Sequence, residues 1–96
     1  MHDREFEWDT AKAQGNQAKH GVSFAATRLV FDDVFALDRS DDGGDHGEVR
    51  FVVTGMANGL LLTVAWTERG ERTRVISARR ATRHERREYY DSQTAE

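Results

Sequence analysis

Two short interruptions govern the second half of this chain, Asn58-Gly59 and Arg69-Gly70. Before the first, Val49, Phe51 and Val53 alternate with Arg50, Val52 and Thr54; after it, Leu60, Leu62, Val64 and Trp66 alternate with Leu61, Thr63, Ala65 and Thr67. A period of two residues is that of a strand, and Asn-Gly readily adopts the positive φ angles of a type I′ hairpin. A third run, Arg72 to Arg79, follows the Arg69-Gly70 turn. Strands joined by turns this tight pair antiparallel, so residues 49–79 are expected to form a meander that the rest of the chain must cover.

The N-terminal segment supplies that cover. Phe6-Glu7-Trp8 reads as a short edge strand, and Asp9 or Thr10 caps a first helix that runs to about His20 and stops at Gly21. Ala11, Gly15 and Ala18 share one face of this helix, which is expected to pack closely on a neighbour. Ser23 can cap a second helix, with Phe24, Thr27 and Phe31 on one side and Ala26 and Val30 beside them. Phe35-Ala36-Leu37 opens another strand. Beyond the meander, Thr82-Arg83-His84-Glu85 is a capping-box pattern that starts a third helix. This helix has almost no aliphatic residue to bury, and Arg83, Arg86, Arg87 and Tyr90 fall on one side, so a surface or partner-facing position is expected. Together these elements predict one α+β domain over residues 1–96. Two N-terminal helices pack on an antiparallel sheet of about four strands, and a C-terminal helix follows.

Ninety-six residues allow one core but no deep enclosed cavity, so chemistry is expected on an open face. The absence of cysteine excludes disulfides and thiolate metal sites. The first residues carry no apolar leader, and Leu60 to Trp66, the longest apolar run, is far below the roughly 20 residues that span a bilayer. A cytoplasmic protein without a membrane partner is the expectation.

The net charge of −3 argues against a nucleic-acid partner until its distribution is considered. Residues 61–96 carry eight arginines against six acids, a net of +2, whereas residues 1–60 carry six basic residues against eleven acids, a net of −5. Arginine forks match phosphate oxygens and remain charged, so such a cluster can hold an RNA backbone and stabilise charge developing at a scissile phosphate. Arg69 and Arg72 flank a hairpin, while Arg79 and Arg80 sit where the last strand meets the helix. Attack by a 2′-hydroxyl needs no metal, but it needs a proton acceptor and a donor. Glu68, Glu71, His20, His84, Tyr89 and Tyr90 are the available groups. Each has a plainer use: turn charges for the glutamates, a helix-dipole contact for His20, and packing or base stacking for the tyrosines.

The loop Asp41 to Glu48 gathers oxygen ligands but lacks the order of a calcium loop, so neither a metal nor a cofactor is expected. His2 and His46 look incidental.

Phe6-Glu-Trp-Asp9, Ala11-Lys12, Lys19-His-Gly-Val-Ser-Phe24, Val30-Phe-Asp-Asp33, Thr67-Glu-Arg-Gly70 and Val75-Ile-Ser-Ala-Arg-Arg-Ala-Thr-Arg83 with Glu85-Arg86 together resemble the BrnT family. The resemblance runs from Phe6 to about Tyr90. It implies a RelE-like fold and metal-independent RNA cleavage that arrests translation. It further implies neutralisation by a BrnA-type antitoxin, through which alone operator DNA is contacted. Carried over by motif, the family's functional positions fall on Lys19, His20, Glu68, Arg69, Glu71, Arg79 and Arg80. Thr10 and Val34 stand where many relatives have proline, which bears on backbone shape rather than on the charged residues.

The reading is therefore an endoribonuclease toxin. Arg69, Arg79 and Arg80 are expected at the scissile phosphate, Glu68 or Glu71 as base, Lys19 or His20 as assistant, and Arg72, Arg83, Arg86, Arg87 and Tyr90 on the RNA. The alternative is a non-catalytic module that binds nucleic acid or a partner through the same arginines.

Overall fold

The computed structural model describes residues 5–41 and 48–94, so most of the acidic Asp41 to Glu48 loop, including His46, lies outside the described residues, as does His2. The elements are β1 (Glu5–Glu7), α1 (Thr10–His20), α2 (Thr27–Asp32), β2 (Leu37–Asp41), β3 (Arg50–Ala57), β4 (Leu60–Arg69), β5 (Arg72–Arg80) and α3 (Arg83–Thr94). They form one sheet in the order β1-β5-β4-β3-β2. The meander β3-β4-β5 is antiparallel as expected, and both hairpin turns use positive φ, at Asn58 (52°) and Gly59 (81°) and at Gly70 (63°). The sheet differs from the expected four antiparallel strands. β1 joins as a fifth strand, parallel to β5, because the α1-α2-β2 excursion returns the chain to the far edge of the sheet before the meander begins. One helix and then another therefore follow a strand, and α3 follows the sheet.

The core lies between the sheet and the helices α1 and α2. Phe24, Val30, Val53, Leu62, Val64, Val75 and Ala78 are buried there. An aromatic chain crosses it, from Phe6 to Phe31 (5.2 Å between centroids) to Trp66 (5.4 Å) to Phe51 (4.7 Å). Gly55 lies directly beneath α2: a Cβ there would stand 2.9 Å from Val30 Cγ1 and 3.1 Å from the Val30 carbonyl oxygen. Gly55→Ala is therefore expected to push α2 off the sheet and to destabilise the fold by about 1–3 kcal/mol, read as a lower denaturant midpoint with an unchanged slope.

Asp9 caps α1 by accepting from the Lys12 N–H, and Gly21 ends it in the left-handed conformation. The buried position of α1 is Asn16, not the small-residue face: Ala11, Gly15 and Ala18 are exposed, and among the described residues no atom comes within 4 Å of where a Cβ on Gly15 would stand. The reason is that α1 docks through a polar contact. Asn16 Nδ2 donates to the Ala78 carbonyl (2.9 Å) and its Oδ1 accepts from the Ala78 N–H (3.1 Å), so the side chain satisfies the edge of β5 beyond the reach of β1. Ser23 accepts from the Ala26 N–H, one turn ahead of the α2 start at Thr27. Val34 and Phe35 form a turn closed by the Ala36 N–H donating to the Asp33 carbonyl (3.0 Å), and β2 begins only at Leu37.

A bulge in β5 decides which arginines reach which face. Ala65 pairs with Ser77 but Trp66 pairs with Val75, leaving Ile76 as an extra residue. Val75 and Ala78, three apart, therefore both enter the core. Beyond the bulge, Arg79 shares the face of its partner Thr63, and Arg80 shares that of Leu62. Without it the two arginines would exchange sides.

Candidate functional site

The face of the sheet opposite α1 and α2 is polar. Cross-strand register places Leu37, Thr54, Thr63 and Arg79 in one row across it, and Arg39, Val52, Ala65 and Ser77 in the next. Further along, Thr67, Arg74 and Glu7 form a third row, and Arg69, Arg72 and Glu5 a fourth. Arg50 is on the same face by alternation along β3. α3 crosses the end of this face at the Thr63 row. The capping box starts the helix as expected: the Thr82 N–H donates to Glu85 Oε1 (2.8 Å) and Thr82 Oγ1 accepts from the Glu85 N–H (3.1 Å). What the sequence did not disclose is that Glu85 is buried.

Glu85 is the hub of the junction. Arg79 donates Nη1 to Oε1 (2.8 Å) and Nη2 to Oε2 (2.9 Å), a bidentate pair. Arg39, arriving from the other side on β2, donates Nη2 to Oε2 (3.2 Å), and Thr63 Oγ1 donates to Oε1 (2.9 Å). The Arg79 hydrogen bonds hold the Glu85 carboxyl far below the usual carboxylate range, with the Thr82 N–H and Thr63 hydroxyl adding to them against the opposing effect of burial. In turn Glu85 raises Arg79. Such a carboxylate cannot serve as a proton acceptor near neutral pH. It fixes two guanidiniums on an open surface.

A second anchor holds the helix one turn later. Tyr89, buried, donates its hydroxyl to Asp33 Oδ2 (2.6 Å), which also accepts from the Met56 N–H (2.8 Å). Burial pushes the Tyr89 hydroxyl up to about 12, and the contact to Asp33 adds to this. Burial alone would raise Asp33, but its hydrogen bonds from Tyr89, Met56 and Phe35 outweigh it and leave the carboxyl lowered. The pH dependence of stability follows from these signs. Glu85 and Asp33 contribute fully above the ordinary carboxylate range, begin to lose that contribution as pH falls through it, and lose it completely only at their lowered folded-state values. Tyr89 contributes fully below its ordinary value of 10.0 and loses its part as pH rises through about 12. Urea midpoints are expected to drop between pH 6 and pH 3, and an Asp33→Asn, Glu85→Gln double variant is expected to show a much shallower drop.

The residues expected at the site fall in three places. Arg79 is at the α3 junction. Arg69 and Arg72 lie at the hairpin end of the same face, with Glu71 in the turn; with Ile76 in the bulge, Arg72 and Arg79 are six strand steps apart, about 20 Å at ordinary strand rise. Glu68, also at that end, pairs with Thr73 and belongs to the opposite face. Lys19 and His20 close α1, exposed, on the side that Arg80 shares with Leu62. The arginines thus do not form one cluster around a single phosphate.

Several arginines are already paired. Arg74 donates to Glu7 (2.8 Å), Arg72 lies 3.4 Å from Glu5 and 3.5 Å from Glu7, and Arg50 Nε lies 3.5 Å from Glu48. The Arg74 hydrogen bond lowers the Glu7 carboxyl, with Arg72 and Arg69 adding to it. Arg80, Arg83, Arg86 and Arg87 make no ion pair among the described residues, and Tyr90 is exposed beside Tyr89. Arg39 and Glu85 are the functional candidates that sequence reasoning missed. The capping box marked Glu85, but only cross-strand register reveals that Arg39 meets it from 46 residues away.

No helix among the described residues is long and apolar enough to cross a membrane. A family model described as the ribonuclease toxin BrnT of a type II toxin-antitoxin system matches residues 8–85. No curated protein matches the chain.

Proposed function

We propose that this chain, which belongs to the BrnT family of type II toxin-antitoxin ribonuclease toxins, cuts RNA on the polar face of its sheet, at a phosphate held by Arg79 and Arg39. The observation that carries this reading is the buried Glu85 carboxylate holding both guanidiniums at the edge of an open face. Arg79 spends both Nη1 hydrogens, on Glu85 and on the Arg80 carbonyl, and one on Nη2. Its Nε–H and second Nη2 hydrogen remain for a ligand. Donors locked before the substrate arrives need no reorganisation as charge builds on the phosphorus oxygens, which is the largest source of electrostatic rate enhancement.

The small Ala65 and Ser77 leave a shallow floor beside this pair, and the face runs about 20 Å from Arg79 to Arg72, long enough for several nucleotides of single-stranded RNA. Arg69 and Arg72 contact flanking phosphates, and Glu68 and Glu71 stand too far along the hairpin to take the attacking proton. Lys19, His20 and Arg80, on the other face, extend the positive surface around the edge of β5. Because the junction arginines are matched by carboxylates, the long-range attraction for RNA comes from Arg80, Arg83, Arg86 and Arg87, and Tyr90 stacks on a base that passes over α3.

The reaction is displacement by the neighbouring 2′-hydroxyl, which carries its own nucleophile and requires no metal ion. Cleavage of cellular RNA by such an enzyme arrests translation. A family of this kind has an antitoxin partner; in our reading it is a BrnA-type protein that covers the arginine surface with an acidic or extended segment and alone contacts operator DNA. The test is purified toxin, freed of partner, incubated with RNA in EDTA. Cleavage is expected. Intact RNA at stoichiometric protein, still retarded on a gel, would show a binding module instead.

A further inference from the structure

Glu88 stands between an imidazole and the phosphate-holding pair. Its Oε2 lies 3.5 Å from His84 Nε2, one turn back on α3, and its Oε1 lies 4.0 Å from Arg39 Nη1. The chain of contacts Arg79-Glu85-Arg39-Glu88-His84 is therefore continuous. The direction in which His84 looks follows from the helix. With Glu85 and Tyr89 turned onto the sheet, 100° per residue puts His84 and Glu88 on one flank and Arg86 and Tyr90 on the other. The Glu88 contact to Arg39, whose row also contains Val52, Ala65 and Ser77, identifies the first flank as the one above the open floor.

We infer that His84 is the general base of the cleavage and Glu88 its positioning partner. This rests on the nuclease reading above and supplies the proton acceptor it lacks, since Glu85 is too acidic and Glu68 and Glu71 are remote. The side chain of His84 is 79% exposed, so it is free to meet a substrate. The Glu88 carboxylate, 3.5 Å from Nε2, favours the proton on that nitrogen and so leaves the Nδ1 lone pair for the RNA. Nδ1 takes the proton of the 2′-hydroxyl as that oxygen bonds to phosphorus. The bond from phosphorus to the 5′-oxygen breaks, and the departing oxygen takes a proton from water. The products are a 2′,3′-cyclic phosphate and a 5′-hydroxyl end. Glu88 then faces an imidazolium, and Arg39 and Arg79 face the phosphorane. On its own helix His84 faces Glu88 at 3.5 Å, with Arg87 three residues on, and Arg39 on β2 reaches the other oxygen of Glu88.

Single-turnover cleavage of a short RNA by His84→Gln, Glu88→Gln and the wild type, from pH 5 to 9, tests this. His84→Gln is expected to lower the cleavage rate about 100-fold, to leave RNA affinity within about twofold, and to change the shape of the pH-rate profile. Glu88→Gln is expected to lower the rate about tenfold while affinity is kept. A His84→Gln protein that cleaves at the wild-type rate with the same pH profile overturns the assignment and leaves the nuclease reading standing. A wild type that binds RNA but does not cut it overturns both. Ends other than 2′,3′-cyclic phosphate and 5′-hydroxyl overturn the proton-transfer scheme.

Discussion

Arg79→Ala is expected to lower the rate of RNA cleavage by about 100- to 1,000-fold while RNA is still bound. Its guanidinium is the one most firmly oriented at the junction, gripped by both oxygens of Glu85, and its remaining donors are the ones the proposed function assigns to the phosphate. Arg79→Lys is expected to recover little of the rate, because an ammonium cannot span both carboxylate oxygens and still present fixed donors to a phosphate. The comparison separates geometry from charge. Recovery by lysine would mean that the site needs only a cation. The measurement is single-turnover cleavage at saturating protein, with binding followed separately by gel retardation.

Glu85→Gln has the largest expected effect on stability. One carboxylate closes the capping box of α3, accepts from Thr63 on β4, and ties Arg79 on β5 to Arg39 on β2. The glutamine keeps the shape but loses the charge, and its amide hydrogens are brought against the guanidinium of Arg79. Breaking a fully buried pair in this way costs about 3–5 kcal/mol. Both arginines are close to half exposed and can turn to water, which reduces the expected loss to about 2–3 kcal/mol. Urea unfolding at pH 7 reads it. Activity should fall as well, at temperatures where the variant remains folded, because Arg39 and Arg79 lose their common anchor. A double-mutant cycle with Arg79→Ala should show strong coupling between the two positions.

The elements of this fold are legible in the sequence wherever one local rule sufficed. Asn58-Gly59 and Gly70 fixed the meander, Asp9 and Gly21 bounded α1, and Thr82 with Glu85 marked the start of α3. Non-local pairing was not legible. Nothing in Glu5-Phe6-Glu7 says that it will lie parallel to β5, because that depends on where α1, α2 and β2 return the chain. The docking face of α1 was misread for a related reason: a small-residue stripe suggests close packing, whereas the helix is held by an Asn16 amide on a strand edge 62 residues away.

The site shows the same limit. The concentration of arginine was visible in composition, and the division between strand-borne and helix-borne arginines in the pattern of elements. Their distribution over two faces and two ends was hidden, because it turns on one extra residue, Ile76, in β5. Arg39 is the clearest instance. It sits in the acidic half of the chain, with nothing beside it in sequence to mark it, and only register across β2, β3, β4 and β5 brings it to Glu85.

The proposed function requires that chemistry take place at the α3 junction and not at the far end of the sheet. A single-turnover comparison of Arg39→Ala with an Arg69→Ala, Arg72→Ala double variant, each at saturating protein, tests it most directly. Arg39→Ala is expected to cleave about 100-fold more slowly than wild type, whereas the hairpin variant keeps the wild-type rate within about threefold and binds RNA about tenfold more weakly. A hairpin variant that binds but cannot cut, beside an Arg39→Ala protein of undiminished rate, would contradict it.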